Sequence, residues 1–325
     1  MTLSPLARWA GTVTVVAATA GFGLASTSAA AADAVLPLTG LVVLGDSLSD
    51  NGNLFAMTGS TFPLAPYFNG RFSNGPVAVE YLASGLGFTA PGQFVNLAVA
   101  GALTSTAGEI AGTGMLSQLA SYLPGMGGGN PLFFVWGGAN DLRAAGGAAV
   151  APAITNLTTI VGTLYGLGAR NFFLPNMPDL GLTPEARETN LVSPGFAAGA
   201  TMLAEGFNAA LAGAYGTLFA GLPGAQMISF NAMAAQRAIT NGSPGNGFTN
   251  VSDRCFYVSV PSLCGNPGDF LYFDNIHPTA AAHLALGNQM LAAVPEPETM
   301  LMMAIGIVGV LGAARRRQRR EAVAA

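Results

Sequence analysis

The stretch Leu41-Val42-Val43-Leu44-Gly45-Asp46-Ser47-Leu48-Ser49-Asp50-Asn51-Gly52-Asn53 constrains this chain more than any other. A short, wholly apolar run reads as a strand buried on both faces, and Gly-Asp-Ser followed by a polar, Gly-containing turn ends it. Ser47 therefore stands at the carboxyl end of a strand, the edge at which open α/β sheets bind ligands. A serine there either caps the next helix or, given a base, acts as a nucleophile.

Further apolar runs repeat the pattern. Gly40 to Leu44, Phe94 to Val99, Leu132 to Trp136, Asn171 to Leu174 and Gln226 to Phe230 read as strands. Pro76 to Leu86, Leu116 to Leu123, Ala149 to Leu167, Phe196 to Phe219 and Thr279 to Ala293 carry helical spacing. Alternation of this kind implies a mainly parallel five-stranded sheet covered on both faces, an α/β fold of three layers. Phe55 to Asn74, rich in aromatics, Pro and Gly, reads as a long ordered loop beside Ser47 that lines an acyl pocket or simply packs over the sheet edge. Asn241 to Cys264 reads as a surface excursion.

Far downstream, Asp274-Asn275-Ile276-His277-Pro278 sets a carboxylate and an imidazole three residues apart, the pair that orients and activates a serine hydroxyl. Two blocks lie between. Asn96-Leu97-Ala98-Val99-Ala100-Gly101 delivers a glycine to the Ser47 edge, and Gly138-Ala139-Asn140-Asp141 delivers an amide. Read alone, Gly101 answers equally to a turn of positive φ, and Asn140 to a helix cap.

In this order the four blocks resemble those of the GDSL, or SGNH, serine esterases and lipases, over about Thr39 to Val294. The resemblance is to the lipolytic, phospholipase- and haemolysin-like branch. It implies the flavodoxin-like α/β/α architecture of SGNH hydrolases and a catalytic set of Ser47, Asp274 and His277. It also implies an oxyanion hole built from the N–H groups of Ser47 and Gly101 and the amide of Asn140. Cleavage of lipid, phospholipid or aryl carboxylic esters through an acyl-enzyme follows, with no metal or cofactor required. Deacylation of an exopolysaccharide is the alternative within the same chemistry, and a non-catalytic surface or matrix binding protein is the alternative outside it. His283, the other histidine, reads as a surface or satisfied core residue, and Asp141 as structural support.

The ends read as processing signals. Residues 1–32 carry Arg8, an apolar run from Trp9 to Leu24 and a small-residue stretch before Asp33, the order of a secretory signal peptide. A hydrolase domain over residues 33–294 follows. In residues 295–325, Pro295-Glu296-Pro297 precedes an apolar run from Thr299 to Ala314, closed by Arg315, Arg316, Arg317, Arg319 and Arg320. These three parts resemble the PEP-CTERM sorting tail of exopolysaccharide-producing Gram-negative bacteria. That tail implies export across the inner membrane, membrane contact before processing, an exosortase-type enzyme as partner, and a surface, matrix or secreted destination.

Between Asp33 and Val294 there are six Arg, no Lys and 13 Asp plus Glu, a net charge of −7. That balance argues against nucleic acid as a partner, since phosphate contacts need clustered cations. Cys255 and Cys264 are the only cysteines. Export to an oxidising compartment favours a disulfide between them, and two unrelated thiols are the alternative.

Overall fold

A computed structural model describes residues 37–242 and 247–295. The expected signal peptide, and the sorting tail beyond Pro295, lie outside the described residues. Five parallel strands, β1 (Leu41–Gly45), β2 (Phe94–Asn96), β3 (Leu132–Trp136), β4 (Asn171–Pro175) and β5 (Gln226–Phe230), form one sheet in the order β2-β1-β3-β4-β5. This is the doubly wound, flavodoxin-like order, with its topological switch between β1 and β3.

Side-chain alternation along the central strands divides the core into two layers. Val42, Leu44, Phe133, Val135, Phe172 and Leu174 face one side, where helices α3 (Met115–Ser121), α5 (Val150–Gly166) and α7 (Phe196–Ala220) bring Met115, Leu157, Ile160, Phe207 and Leu211 against them. Leu41, Val43, Leu132, Phe134 and Phe173 face the other, where α2 (Ala78–Gly85), α8 (Ala232–Thr240) and α9 (Ala280–Ala293) contribute Val79, Leu82, Ala235 and Met290. The expected three-layer α/β/α arrangement is therefore present, and its cause is that β1, β3 and β4 carry large apolar residues at both odd and even positions. Helical residues Ala139–Gly166 are apolar and long enough to cross a membrane by composition. Their Leu157, Ile160, Val161 and Leu164 are buried against the sheet.

Several local expectations are corrected. Strand β2 ends at Asn96 rather than Val99, although the Leu97 and Val99 N–H groups still donate to the Val43 and Gly45 carbonyls of β1 at 2.9 and 3.3 Å; Asn53 Nδ2 donates to the carbonyls of Asn96 and Ala98 at 2.9 and 2.7 Å. The loop expected from Phe55 begins inside a helical turn, α1 (Asn53–Met57). A short helix, α4 (Ala139–Ala145), opens directly at the Gly138-Ala139-Asn140-Asp141 block.

Two longer helices also escaped the periodicity reading. In α6 (Pro184–Val192), Thr183 Oγ1 accepts from the Ala186 N–H with Pro184 in the first turn; in α8, Asn231 accepts from the Ala234 N–H. Capping residues were an available signal for both, beside the helix-forming composition of each segment. Within the expected surface excursion, β6 (Asn250–Arg254) pairs in parallel with β9 (Phe270–Tyr272). There β7 (Phe256–Tyr257) and β8 (Ser262–Leu263) form a hairpin whose Cys255 and Phe256 are buried.

Candidate active site

Ser47 sits in the turn that leaves β1, almost fully buried. The Asp46 side chain accepts from the Leu48 N–H at 3.0 Å, and its carbonyl accepts from the Ser49 and Asp50 N–H groups, so the turn is closed on the residue before the serine. The end of β1 is pinned from below by Gln118, which accepts from the Gly45 N–H at 2.9 Å and donates to the Gly45 carbonyl at 2.8 Å. Asp50 accepts from the N–H groups of Gly52, Asn53 and Leu54, and from Ala100 at 2.8 Å. One buried carboxylate thus ties the Ser47 turn to the segment that carries Gly101. Sequence reasoning passed over Gln118 and Asp50, since neither lies where spacing alone implies a contact.

The Asp274–His277 turn is held by its own carboxylate. Asp274 Oδ1 accepts from the Ile276 and His277 N–H groups at 2.9 and 2.8 Å, and Oδ2 lies 2.7 Å from His277 Nδ1. The other ring nitrogen, Nε2, is 2.8 Å from Ser47 Oγ. Carboxylate, imidazole and hydroxyl therefore form one continuous hydrogen-bonded line across 230 residues of sequence. Burial alone raises the Asp274 carboxyl, but the His277 ring and the donated hydrogen bonds outweigh it and hold the pKa down to about 2. Asp46 has fewer opposing contacts, and burial pushes it up to about 6.

Gly101 and Asn140 face the same opening. Ser47, Gly101, Asn140 and His277 together line a cavity of about 180 Å³. Gly101 has φ +74°, and a Cβ there would fall 2.6 Å from the Glu109 Cβ, so both backbone and space require glycine. Among the described residues, neither the Ser47 nor the Gly101 N–H donates to a protein acceptor. Asn140 Nδ2 donates to the Ala102 carbonyl at 3.0 Å. Asp141 anchors α4 by accepting from the Thr104 N–H and hydroxyl at 3.0 and 2.7 Å.

Aromatic residues of the long loop back the imidazole rather than form the main pocket. The Phe72 ring lies 5.0 Å from that of His277, and Tyr67 packs against Phe72 and Phe273 at 5.4 and 5.3 Å. Tyr67 also donates its hydroxyl to Asp274 Oδ2 at 2.7 Å, a contact spacing could not reveal. Beside Ser47 opens a larger cavity of about 440 Å³, lined mainly by apolar side chains that include Leu142, Leu180, Leu203, Ile239, Leu271 and Leu286. It is built from the helices that follow β3, β4 and β5 and from α9, not from the loop.

The remaining expected residues lie outside this line. His283 is fully buried in α9, where Nδ1 accepts from the Ala78 N–H at 3.2 Å and burial pushes its pKa down to about 3. Cys255 and Cys264 are joined in a disulfide, Cα atoms 4.8 Å apart, at the base of the β7–β8 hairpin. Among the described residues no group of three or more His, Cys, Asp or Glu side chains is placed to hold a metal ion.

The chain is 29% identical over 275 residues to a thermolabile hemolysin of Vibrio parahaemolyticus, covering 77% of this chain and 62% of that one. It is 30% identical over 191 residues to a phosphatidylcholine-sterol acyltransferase of Aeromonas hydrophila, covering 52% and 53%. The chain thus spans between half and two thirds of the length of these two bacterial relatives. A GDSL esterase/lipase of Arabidopsis thaliana is 25% identical over 321 residues, 77% of this chain and 89% of that one. A solved structure of a GDSL-like lipase from Parabacteroides merdae aligns over 80% of this chain and 97% of its own at 12% identity, with a TM-score of 0.44. The family model for the PEP-CTERM protein-sorting motif matches residues 293–319. The model for GDSL-like lipase/acylhydrolase matches residues 41–290, and the chain belongs to that family.

Proposed function

We propose that this protein is an exported serine hydrolase that cleaves carboxylic esters of lipids through an acyl-enzyme. The observation that carries the reading is the unbroken line from Asp274 Oδ2 through His277 to Ser47 Oγ, at 2.7 and 2.8 Å. In it, Ser47 Oγ attacks the ester carbonyl carbon as its proton passes to His277 Nε2. The buried, ionised Asp274 fixes the ring and balances its charge. Oxygen charge on the tetrahedral intermediate is received by the N–H groups of Ser47 and Gly101 and by Asn140 Nδ2, which leaves the Ala102 carbonyl to do so. The carbonyl–alcohol bond then breaks and the departing alkoxide takes the His277 proton. Water, deprotonated by the same ring, releases the acyl group and restores Ser47.

A lipid acyl chain is favoured over a short acyl group on a polysaccharide by the 440 Å³ apolar cavity that opens directly beside Ser47. The PEP-CTERM match supports export in a Gram-negative bacterium. In this reading residues 1–32 direct export, residues 33–294 form the hydrolase, and residues 295–325 contact the membrane until an exosortase-type enzyme cuts them.

The test is hydrolysis of p-nitrophenyl esters from acetyl to palmitoyl, and of acetylated polysaccharide, by the purified protein and its Ser47→Ala variant. Ser47-dependent turnover that rises with chain length supports the reading. Ser47-dependent release confined to acetyl and polymer moves it to a carbohydrate esterase, and turnover indifferent to Ser47 ends it.

A further inference from the structure

Sixteen large apolar side chains are exposed among the described residues, and twelve of them lie on only three segments: 57–68, 191–202 and 257–263. All three segments stand at the carboxyl edge of the sheet. The first follows the Ser47 turn, the second is the corner where α6 meets α7, and the third is the β7–β8 hairpin just ahead of β9 and His277. They are also neighbours of one another. The Tyr67 ring lies 5.7 Å from Phe256 of the hairpin, and Arg254, at the hairpin's base, pairs with Glu188 of α6. By contrast, exposed Leu123 and Leu167 stand where α3 and α5 end, at the amino edge.

This rim is continuous with the interior. Phe62 of the first segment lines the smaller cavity at Ser47, and Phe196 of the second lines the larger apolar one. At the α6–α7 corner Leu191 and Val192 are 82% and 86% exposed, and at the hairpin tip Val260 is 71% exposed. Exposed apolar groups clustered around the mouth of an apolar cavity mark a surface that works against a non-aqueous partner. The domain's net charge of −7 opposes an anionic surface.

We propose that the rim formed by residues 57–68, 191–202 and 257–263 docks on the surface of a neutral or zwitterionic lipid aggregate. Leu191, Val192 and Val260 enter the acyl region there, so that a chain passes into the cavity beside Ser47 without crossing water. The proposal rests on the lipid-ester reading above and adds to it a place of contact. Removing these side chains from water is what holds the protein on the surface.

The experiment places an environment-sensitive fluorophore on the full-length protein at a single introduced thiol: Leu191→Cys, Val260→Cys or, at the opposite edge, Leu167→Cys. Cys255 and Cys264 are bonded to each other and do not compete. Phosphatidylcholine vesicles are expected to shift the emission of the first two labels to the blue and to leave the third unchanged. The C-terminal tail is common to all three proteins and cannot produce that difference. No shift at positions 191 and 260, or an equal shift at all three, overturns the proposal. A shift that grows with protein concentration in the absence of vesicles overturns it in favour of a second copy. Hydrolysis followed in the same samples separates the two readings: blue-shifted labels without Ser47-dependent hydrolysis sink the esterase and keep the docking surface, and hydrolysis with unshifted labels does the reverse.

Discussion

Tyr67 donates its hydroxyl to Asp274 Oδ2 at 2.7 Å from a position 207 residues earlier in the chain. It thereby shares one carboxylate oxygen with His277 Nδ1. In the proposed mechanism Tyr67 is a positioning residue: it holds the carboxylate that holds the imidazole. Tyr67→Phe keeps the ring packing and removes the donor, so kcat should fall roughly tenfold with KM little changed. Loss of a donor to the charged carboxylate also raises the Asp274 pKa, which should move the acid limb of the pH–rate profile upward. An unmoved acid limb would reduce Tyr67 to a packing role.

Asn140→Ala should lower kcat by roughly 10² to 10³, the usual cost of losing one oxyanion donor, while leaving KM close to its original value. The fold should survive, since α4 remains anchored through Asp141 and Thr104. Steady-state kinetics on a soluble ester, with circular dichroism as the folding control, decides it. A rate near that of the unmodified enzyme would take the amide out of the oxyanion site.

Ala200, on the first turns of α7, lines the 440 Å³ cavity beside Leu203 and Phe196. Ala200→Phe fills part of that space. Turnover of long-chain p-nitrophenyl esters should drop tenfold or more while acetyl ester turnover holds within about twofold, because each excluded methylene forfeits about 0.8 kcal/mol of burial. A uniform loss across chain lengths would show that acyl groups bind elsewhere.

Asp46 is buried beside Ser47 with its carboxyl pushed up to about 6 from the ordinary 3.8. Between those values the folded protein holds a proton that the unfolded chain has lost. Stability contributed by this group therefore falls as pH rises from about 4 through 6. Asp46→Asn keeps an oxygen for the Leu48 N–H and removes the charge. It should stabilise the protein by on the order of 1–3 kcal/mol at pH 8 and by little at pH 4. Urea unfolding at the two pH values measures this, and an equal difference at both would exclude buried charge as the cause.

Replacing both Cys255 and Cys264 by serine opens a short loop ahead of the Asp274 turn. The chain-entropy estimate for a closed loop of this length is about 2–3 kcal/mol. Urea midpoints with and without the substitutions measure it, and unchanged midpoints would leave the bridge with no role in stability.

Much of the architecture was legible in the chain because burial on two faces leaves an unmistakable record. Val42 to Leu44, Leu132 to Trp136 and Phe172 to Leu174 could only be central strands, and parallel strands joined by helices have few ways to stack. Helices α6 and α8 were hidden, although rich in helix formers such as Ala, Glu, Gln and Arg, because each is only nine residues long and their caps, Thr183 and Asn231, look like ordinary loop residues. Ser47, Gly101, Asn140, Asp274 and His277 could be singled out only as members of four short blocks that together resemble one family, since Gly101 and Asn140 read alone answer equally to a turn and a helix cap.

What the sequence by itself determined, then, is which residues are candidates for chemistry and the edge of the sheet where they gather. Both follow from short-range constraints: apolar runs that must be buried, and a carboxylate and an imidazole three residues apart. Tertiary structure decided what surrounds that line. Gln118 under Gly45, Asp50 between two loops, Tyr67 on Asp274 and the apolar cavity under α7 all join residues tens to hundreds of positions apart. No local spacing encodes such contacts, because a side chain's partner across a fold is set by how the layers pack and not by its neighbours in the chain.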